Sequence, residues 1–281
     1  MLKNIRLVVT DLDGTVLEHG KIANHNDLDT LLKLEKKGIA LTIATGQNWS
    51  NAVTKAHIFE IQNGVDYIIC NNGAYISKVS KYEPICVIKI ENNLVQKVYN
   101  KCTEMNITFF AYYKENRHMY WNGVPLTCES LNARNWTDKF ILNDISQIEN
   151  FDYDSVFQIM IFVPDQEVNS FEQWFKEEGL DQELLSMSNN IESMPIYEFT
   201  NIKTNKGVAV RNLAKLLKID LNDVITFGDN LNDMEMIKDM PHSVAVGNAV
   251  PKIKEAATYI TDTNKNGGVS KFINEHILGG K

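Results

Sequence analysis

An α/β fold with a parallel sheet, interrupted by an inserted α+β module, is what this 281-residue sequence predicts. Three observations carry that expectation. The first seventy residues read β-α-β-α-β, a rhythm that implies parallel strands with right-handed crossovers. After that the pattern changes to helices alternating with aromatic-rich hairpins, the mark of an α+β module. From residue 205 the first rhythm returns. The expected partition is an outer domain of residues 1–82 and 196–281 and an inserted domain of residues 83–195.

The opening stretch IRLVVTDLDGT (5–15) is an apolar strand that stops at Asp11, Asp13 and Gly14. A continuous β-branched run of this kind suits a strand buried on both faces. Residues 24–37 follow as a helix with Leu28, Leu31, Leu32 and Leu34 at helical spacing, Asn24 or Asn26 as cap and Gly38 at its end. IALTIATG (39–46) is a second buried strand, residues 49–59 a helix, and VDYIIC (65–70) a third strand before the turn Asn71-Asn72-Gly73. Residues 74–90 alternate around Glu83-Pro84 and predict a hairpin.

Within the insertion, residues 91–105 and 165–178 read as helices, and SVFQIMIFV (155–163) as a strand. FFAYY and HMYW form a hairpin around Lys114–Arg117, with Arg117 at its tip. Its rings, Phe109, Phe110, Tyr112, Tyr113, Tyr120 and Trp121, are expected to pack the insertion's sheet. Residues 124–150 are weakly patterned, and short strands cover 183–197. Beyond 205 come a helix (KGVAVRNLAKLLKI), a strand (DVITFGD, 223–229), a short helix, a strand (SVAVGNA), a helix, a final strand (ATYITD) and a closing helix.

Composition narrows the function. Hydrophobic residues at 44% and charged residues at 23% are ordinary for a globular protein. A formal net charge of −8 disfavours nucleic-acid binding and a polybasic membrane patch, and means that an anionic substrate needs local cations. No apolar run reaches transmembrane length. Cys70, Cys86, Cys102 and Cys128 are scattered without a C-x-x-C pair, which points to reduced thiols and a cytoplasmic setting. Oligomeric state is not legible.

Four element ends carry polar residues able to converge: Asp11 and Asp13, Thr45-Gly46, Lys206, and Asp229 with Asn232 and Asp233. In open parallel sheets, ligands bind beyond the carboxyl ends of the strands. Asp11, Asp13 and Asp229 offer hard oxygen ligands with no imidazole or thiolate nearby in sequence, which favours Mg²⁺ over zinc. Clustered acids repel one another unless a divalent cation or a lysine offsets them, and Lys206 is the candidate. Thr45, Asn232 and the backbone after Gly46 can donate hydrogen bonds to phosphate oxygens. A carboxylate is a competent nucleophile toward phosphorus, and a second acid can protonate the leaving group and then activate water.

DLDGT (11–15), TG (45–46), KG (206–207) and GDNLND (228–233) together resemble the four motifs of the haloacid dehalogenase (HAD) phosphatase superfamily. NNGA (71–74), VGNA (246–249) and NGGV (266–269) further resemble its Cof-like branch. The resemblance implies a Rossmann-like core with a large inserted cap of subclass IIB, which would choose the substrate. By position it implies Asp11 as nucleophile and Asp13 as general acid/base. Asp11, the Asp13 carbonyl and Asp229 would hold Mg²⁺, and Thr45, Gly46, Lys206 and Asn232 the phosphate or substrate. Thr15 and Asp233 would be in support, Asp233 orienting Lys206 or a metal-bound water. The implied substrate is a small phosphorylated metabolite, such as a sugar phosphate or phosphorylated cofactor. A phosphomutase and a catalytically silent binding or regulatory protein are the alternatives. One departure stands out: the Cof-like pattern usually has arginine after Thr-Gly, and this chain has Gln47, which keeps hydrogen bonding but loses charge.

Overall fold

The computed structural model describes residues 2, 4–113, 118–126, 140–191 and 194–279. Arg117 and Cys128, singled out above, lie outside the described residues. The chain divides into two compact units, Met1–Cys86 with Asn205–Lys281, and Val87–Thr204.

The first unit opens with β1 (Leu7–Thr10), β2 (Leu17–Glu18), β3 (Lys21–Ile22), α1 (His25–Lys36), β4 (Ala40–Ile43) and α2 (Trp49–Ile58). β5 (Tyr67–Cys70), β6 (Tyr75–Lys78) and β7 (Pro84–Ile85) complete this segment. The second unit holds α3 (Asn92–Glu104), β8 (Thr108–Tyr112), β9 (His118–Trp121), β10 (Ile141–Asp144), β11 (Gln158–Phe162), α4 (Val168–Glu177), β12 (Leu184–Ile191) and β13 (Met194–Asn201). The chain then returns to the first unit with α5 (Lys206–Leu217), β14 (Val224–Gly228) and α6 (Met234–Asp239). β15 (His242–Ala245), α7 (Pro251–Ala256), β16 (Tyr259–Ile260) and α8 (Gly268–His276) close it.

The first unit is built on the sheet β16-β15-β14-β1-β4, whose neighbouring strands all run parallel. Leu7, Val8 and Val9 are buried, as a strand covered on both faces requires. Burying each such aliphatic side chain contributes about 1.5–3 kcal/mol. α1 is capped by Asn24, whose side chain accepts from the Asn26 N–H, and it turns Leu31 and Leu34 inward. The third predicted strand lies beside β4 in the expected parallel sense but pairs with it sparingly. β5 touches the parallel sheet through one bridge, Ala44 to Ile69, and pairs antiparallel with β6. The cause is the Asn71-Asn72-Gly73 turn, where three successive residues have positive φ and fold the chain back on itself. β6 and β7 pair antiparallel, as the alternation over 74–90 predicts. The β2–β3 hairpin, which the sequence reading did not include, turns on His19 and Gly20, both at positive φ.

The second unit is a sheet in the order β10-β9-β8-β11-β13-β12, antiparallel except where β10 joins β9. Side-chain alternation splits its aromatic residues between two faces. Phe109, Ala111, Ile159, Ile161 and Phe199 pack with α3 and α4 through Val95, Val98 and Phe171. Phe110, Met119, Met160, Phe162 and Ile196 cluster separately, with Tyr112 and Trp121 against them. β10 arises from the weakly patterned stretch, with Ile141 exposed. β13 pairs along its length with β12 and also with β11, so the insertion runs past residue 195, to Thr204. β7 pairs with β6, which keeps residues 83–86 in the first unit.

Candidate active site

Every residue of the candidate site belongs to the first unit. Because β1, β4 and β14 are parallel, their carboxyl ends open on one edge of the sheet, where α5 also begins. Asp11 follows β1 directly and is 5% exposed, with its N–H donating to the Phe227 carbonyl at 3.0 Å. The chain then turns at Gly14, φ +89. A Cβ there would lie 2.3 Å from Asp229 Oδ2, so only glycine allows the first loop to approach the loop after β14. Thr15 Oγ1 ties the two loops together, donating to Asp229 Oδ1 at 2.8 Å.

Lys206 is the first residue of α5, behind an Asn205 cap whose side chain accepts from the Val208 N–H. It is fully buried, and its Nζ donates to Asp11 Oδ1 at 2.5 Å and to Asp233 Oδ1 at 2.7 Å. Asp233 uses its other oxygen on the backbone, accepting from the Asp229 N–H at 2.9 Å and the Asn230 N–H at 3.2 Å. The GDNLND loop is thus closed by a capping box between Asn230 and Asp233.

One ammonium faces three carboxylates here, since oxygens of Asp11, Asp229 and Asp233 lie within 4.8 Å of one another. Burial pulls Lys206 toward neutrality, but the Asp11 and Asp233 carboxylates outweigh it and hold the amine above its ordinary pKa. Burial pushes Asp11 well above the usual carboxylate range, with Lys206 opposing and Asp233 and Asp229 adding to the rise. Asp229 is pushed up to about 6, again chiefly by burial. Carboxylate oxygens of Asp11 and Asp229 lie within 4.8 Å of each other, an approach that a proton or a cation between them would relieve. The site therefore suits a divalent cation: the donors are hard oxygens and the local charge is left negative by one lysine.

The remaining predicted residues divide. Thr45 is buried at the end of the second strand, and its Oγ1 accepts from the Gln47 N–H at 3.1 Å. A Cβ on Gly46 would lie 3.1 Å from Asn72 Oδ1. Asn232 is exposed and donates to that same Asn72 Oδ1 at 2.9 Å. The Asp13 side chain stands apart from the three clustered carboxylates and accepts from Gln47 Nε2 at 2.6 Å. Three supporting residues had no role assigned from sequence. Asn72 donates its N–H to the Thr45 carbonyl at 3.0 Å and so braces the Thr45–Gln47 loop. Asn248 Nδ2 donates to the Gly14 carbonyl at 2.7 Å, and Asn248 Oδ1 accepts from the Asn264 N–H at 2.9 Å. The available signal, for Asn72 and Asn248, was positional: NNGA and VGNA directly follow β5 and β15, as turn-forming asparagine and glycine do.

A family model of haloacid dehalogenase-like hydrolases matches residues 8–273. The chain belongs to that family. The resemblance read from the four motifs is thereby borne out, and so is the expectation of a hydrolase. Among HAD relatives, a 5-amino-6-(5-phospho-D-ribitylamino)uracil phosphatase of Bacillus subtilis (strain 168) is 25% identical, over 98% of this chain and 97% of its own. A HAD-like hydrolase from Bacteroides thetaiotaomicron has the same fold, with TM-score 0.77, 23% identity, and 96% of this chain and 98% of its own covered. A Thermotoga maritima protein superposes at TM-score 0.78 with 20% identity, covering 96% and 97% of the two chains. Among the described residues no helix is long and apolar enough to cross a membrane.

Proposed function

We propose that this HAD-family hydrolase is a Mg²⁺-dependent phosphatase that cleaves a small phosphorylated metabolite through an aspartyl-phosphate on Asp11. The observation that carries this reading is the buried Lys206, held between Asp11 and Asp233, whose carboxylate oxygens lie within 4.8 Å of one from Asp229. In the first step an Asp11 carboxylate oxygen attacks phosphorus, and the bond from phosphorus to the leaving oxygen breaks. Asp13 gives that oxygen its proton. In the second step Asp13 takes a proton from water as the water oxygen attacks the same phosphorus, which releases inorganic phosphate and restores the Asp11 carboxylate. Lys206 and Thr45 hold the phosphoryl oxygens, with Gly46 allowing the backbone to come close. Asn232 contacts phosphate or substrate, and Asp233 keeps Lys206 aimed. The Asp11 and Asp229 carboxylates and the Asp13 carbonyl would hold Mg²⁺, which would supply charge neutralisation at the phosphoryl group.

The inserted unit is assigned substrate choice, and the compartment the cytoplasm. One 25%-identical relative acts, by its name, on a phosphorylated ribitylaminouracil, so phosphorylated polyols and cofactor precursors head the substrates to screen with sugar phosphates. Purified protein with p-nitrophenyl phosphate tests the reading. Turnover should require Mg²⁺, vanish in Asp11→Asn and fall severely in Asp13→Asn. Metal-independent turnover, or an Asp11→Asn variant as active as the natural protein, would reject it.

A further inference from the structure

Gln47 has no assigned part in this chemistry, yet among the described residues its amide is the side-chain donor that reaches Asp13, Nε2 to Oδ2 at 2.6 Å. Asp13 is solvent-exposed on a loop, so its carboxylate has rotamer freedom to lose before it can deliver a proton along one direction. Gln47 is itself anchored at both backbone ends. Its N–H donates to Thr45 Oγ1 at 3.1 Å, and its carbonyl accepts from the Asn71 N–H at 3.0 Å. The amide therefore stands on the same braced loop that carries Thr45 and Gly46. By donating to Oδ2 it leaves Oδ1 as the oxygen that carries the transferred proton.

We propose that Gln47 is a positioning residue that aims Asp13 at the leaving-group oxygen, and so sets how well this enzyme cleaves unactivated alkyl phosphates. The proposal rests on the acid/base role given to Asp13 above. Its consequence is selective. An alkoxide cannot depart without a proton, whereas p-nitrophenolate departs unaided, so misplacing Asp13 harms the first class far more. The ratio of kcat/KM for an alkyl to an aryl phosphate isolates this effect. That quantity reports the steps up to departure of the leaving group and excludes the later hydrolysis shared by both substrates.

The experiment compares glycerol 3-phosphate with p-nitrophenyl phosphate in the natural protein, Gln47→Met, Gln47→Arg, Asp13→Asn and the double variant Gln47→Met/Asp13→Asn. Methionine keeps the length of glutamine without a donor; arginine keeps a donor. In Gln47→Met the alkyl/aryl ratio should drop about tenfold, and Gln47→Arg should restore most of it. In the Asp13→Asn background Gln47→Met should lower the ratio no further, because a residue acting through Asp13 has nothing left to act on. Equal losses on both substrates, or a full further loss in the double variant, would overturn the proposal while leaving the phosphatase reading intact. A natural protein without Mg²⁺-dependent turnover would overturn both. Melting temperatures of the single variants identify any that fail to fold, and Gln47→Arg against the natural protein then decides by whether the ratio holds.

Discussion

Replacing Lys206 with methionine is the most demanding perturbation of the site, because it removes the one ammonium that three buried or half-buried carboxylates share. At 2.5 and 2.7 Å, and with an effective dielectric of about 20, each ion contact is worth roughly 6–7 kcal/mol of gross attraction. Desolvation of the fully buried ammonium cancels much of this, so the net value of the pairs is smaller than the gross sum. The loss on truncation is set instead by the carboxylates left behind unpaired, about 3–5 kcal/mol for a broken buried pair. Lys206→Met should therefore lower the unfolding free energy by about that amount at pH 7 in metal-free buffer, read from urea transitions. The penalty should shrink toward pH 4, where protonation removes the uncompensated charge. Lys206→Arg should not restore stability, since the slot is fully enclosed and a guanidinium is larger. A loss below about 1 kcal/mol, the value of an exposed ion pair, would refute the reasoning.

Asp229 gives a second handle, through pH. Its carboxyl titrates near 6 in the folded chain against an ordinary 3.8, so between those values the folded state keeps a proton that the unfolded state has released. Metal-free protein should accordingly lose stability as pH rises from about 4 through 6, and Asp229→Asn should flatten that slope; thermal melts across pH check both. Gly14→Ala forces a positive φ on a residue with a Cβ and drives that atom into Asp229 Oδ2. The strain should cost about 1–3 kcal/mol in melting experiments, with kcat down about a hundredfold as the two loops part. At the surface, Lys271, Asn266 and the Thr263 N–H hold Asp262 down to about 2. The stability this supplies should be present above about pH 4 and lost as pH falls through 2, and Asp262→Asn should remove that dependence in acid melts.

How far the fold was legible depends on how strongly each segment declared its burial. β1, β4 and β14 are continuous apolar runs that end in polar turns, and a run with no exposed face has few other places in a fold. β2 and β3 are two residues each, too short for any periodicity, and only the positive φ of His19 and Gly20 makes the hairpin. β10 leaves its residues exposed or half-buried, so its composition carried no alternation to read. β5 was legible as a strand, and Asn71-Asn72-Gly73 as a turn, but not that the turn would pair β5 antiparallel with β6. The second compact unit extends to Thr204, past residue 195, for a related reason. β13 lies between β11 and β12 in the second unit's sheet, and pairing partners are not written in local sequence.

The candidate site divides along the same line. Its residue types were visible because each lies where a strand or helix ends, and chemistry gathers there in parallel sheets. Their pairings were not, since Lys206 reaches Asp11 across 195 positions of chain. Asp233 shows why the ordinary and the functional meanings of a residue need not compete. As a first-turn acid it closes a capping box with the Asn230 backbone, and with the same carboxylate it receives the Lys206 ammonium. Neither contact alone requires aspartate. The cap accepts several acceptors, and a lysine pairs with any acid of suitable reach. Together they require a short carboxylate whose two oxygens point in fixed directions, one to the loop backbone and one to Nζ. Asp233→Asn should therefore keep the cap, by amide oxygen, and lose half of the lysine's counter-charge. Asp233→Glu should keep the charge and distort the loop, because a Cβ on Gly228 would already lie 2.7 Å from Asp233 Oδ2 and no space remains for another methylene. If the glutamate variant melted and turned over like the natural protein, the two contacts would not be coupled through this side chain.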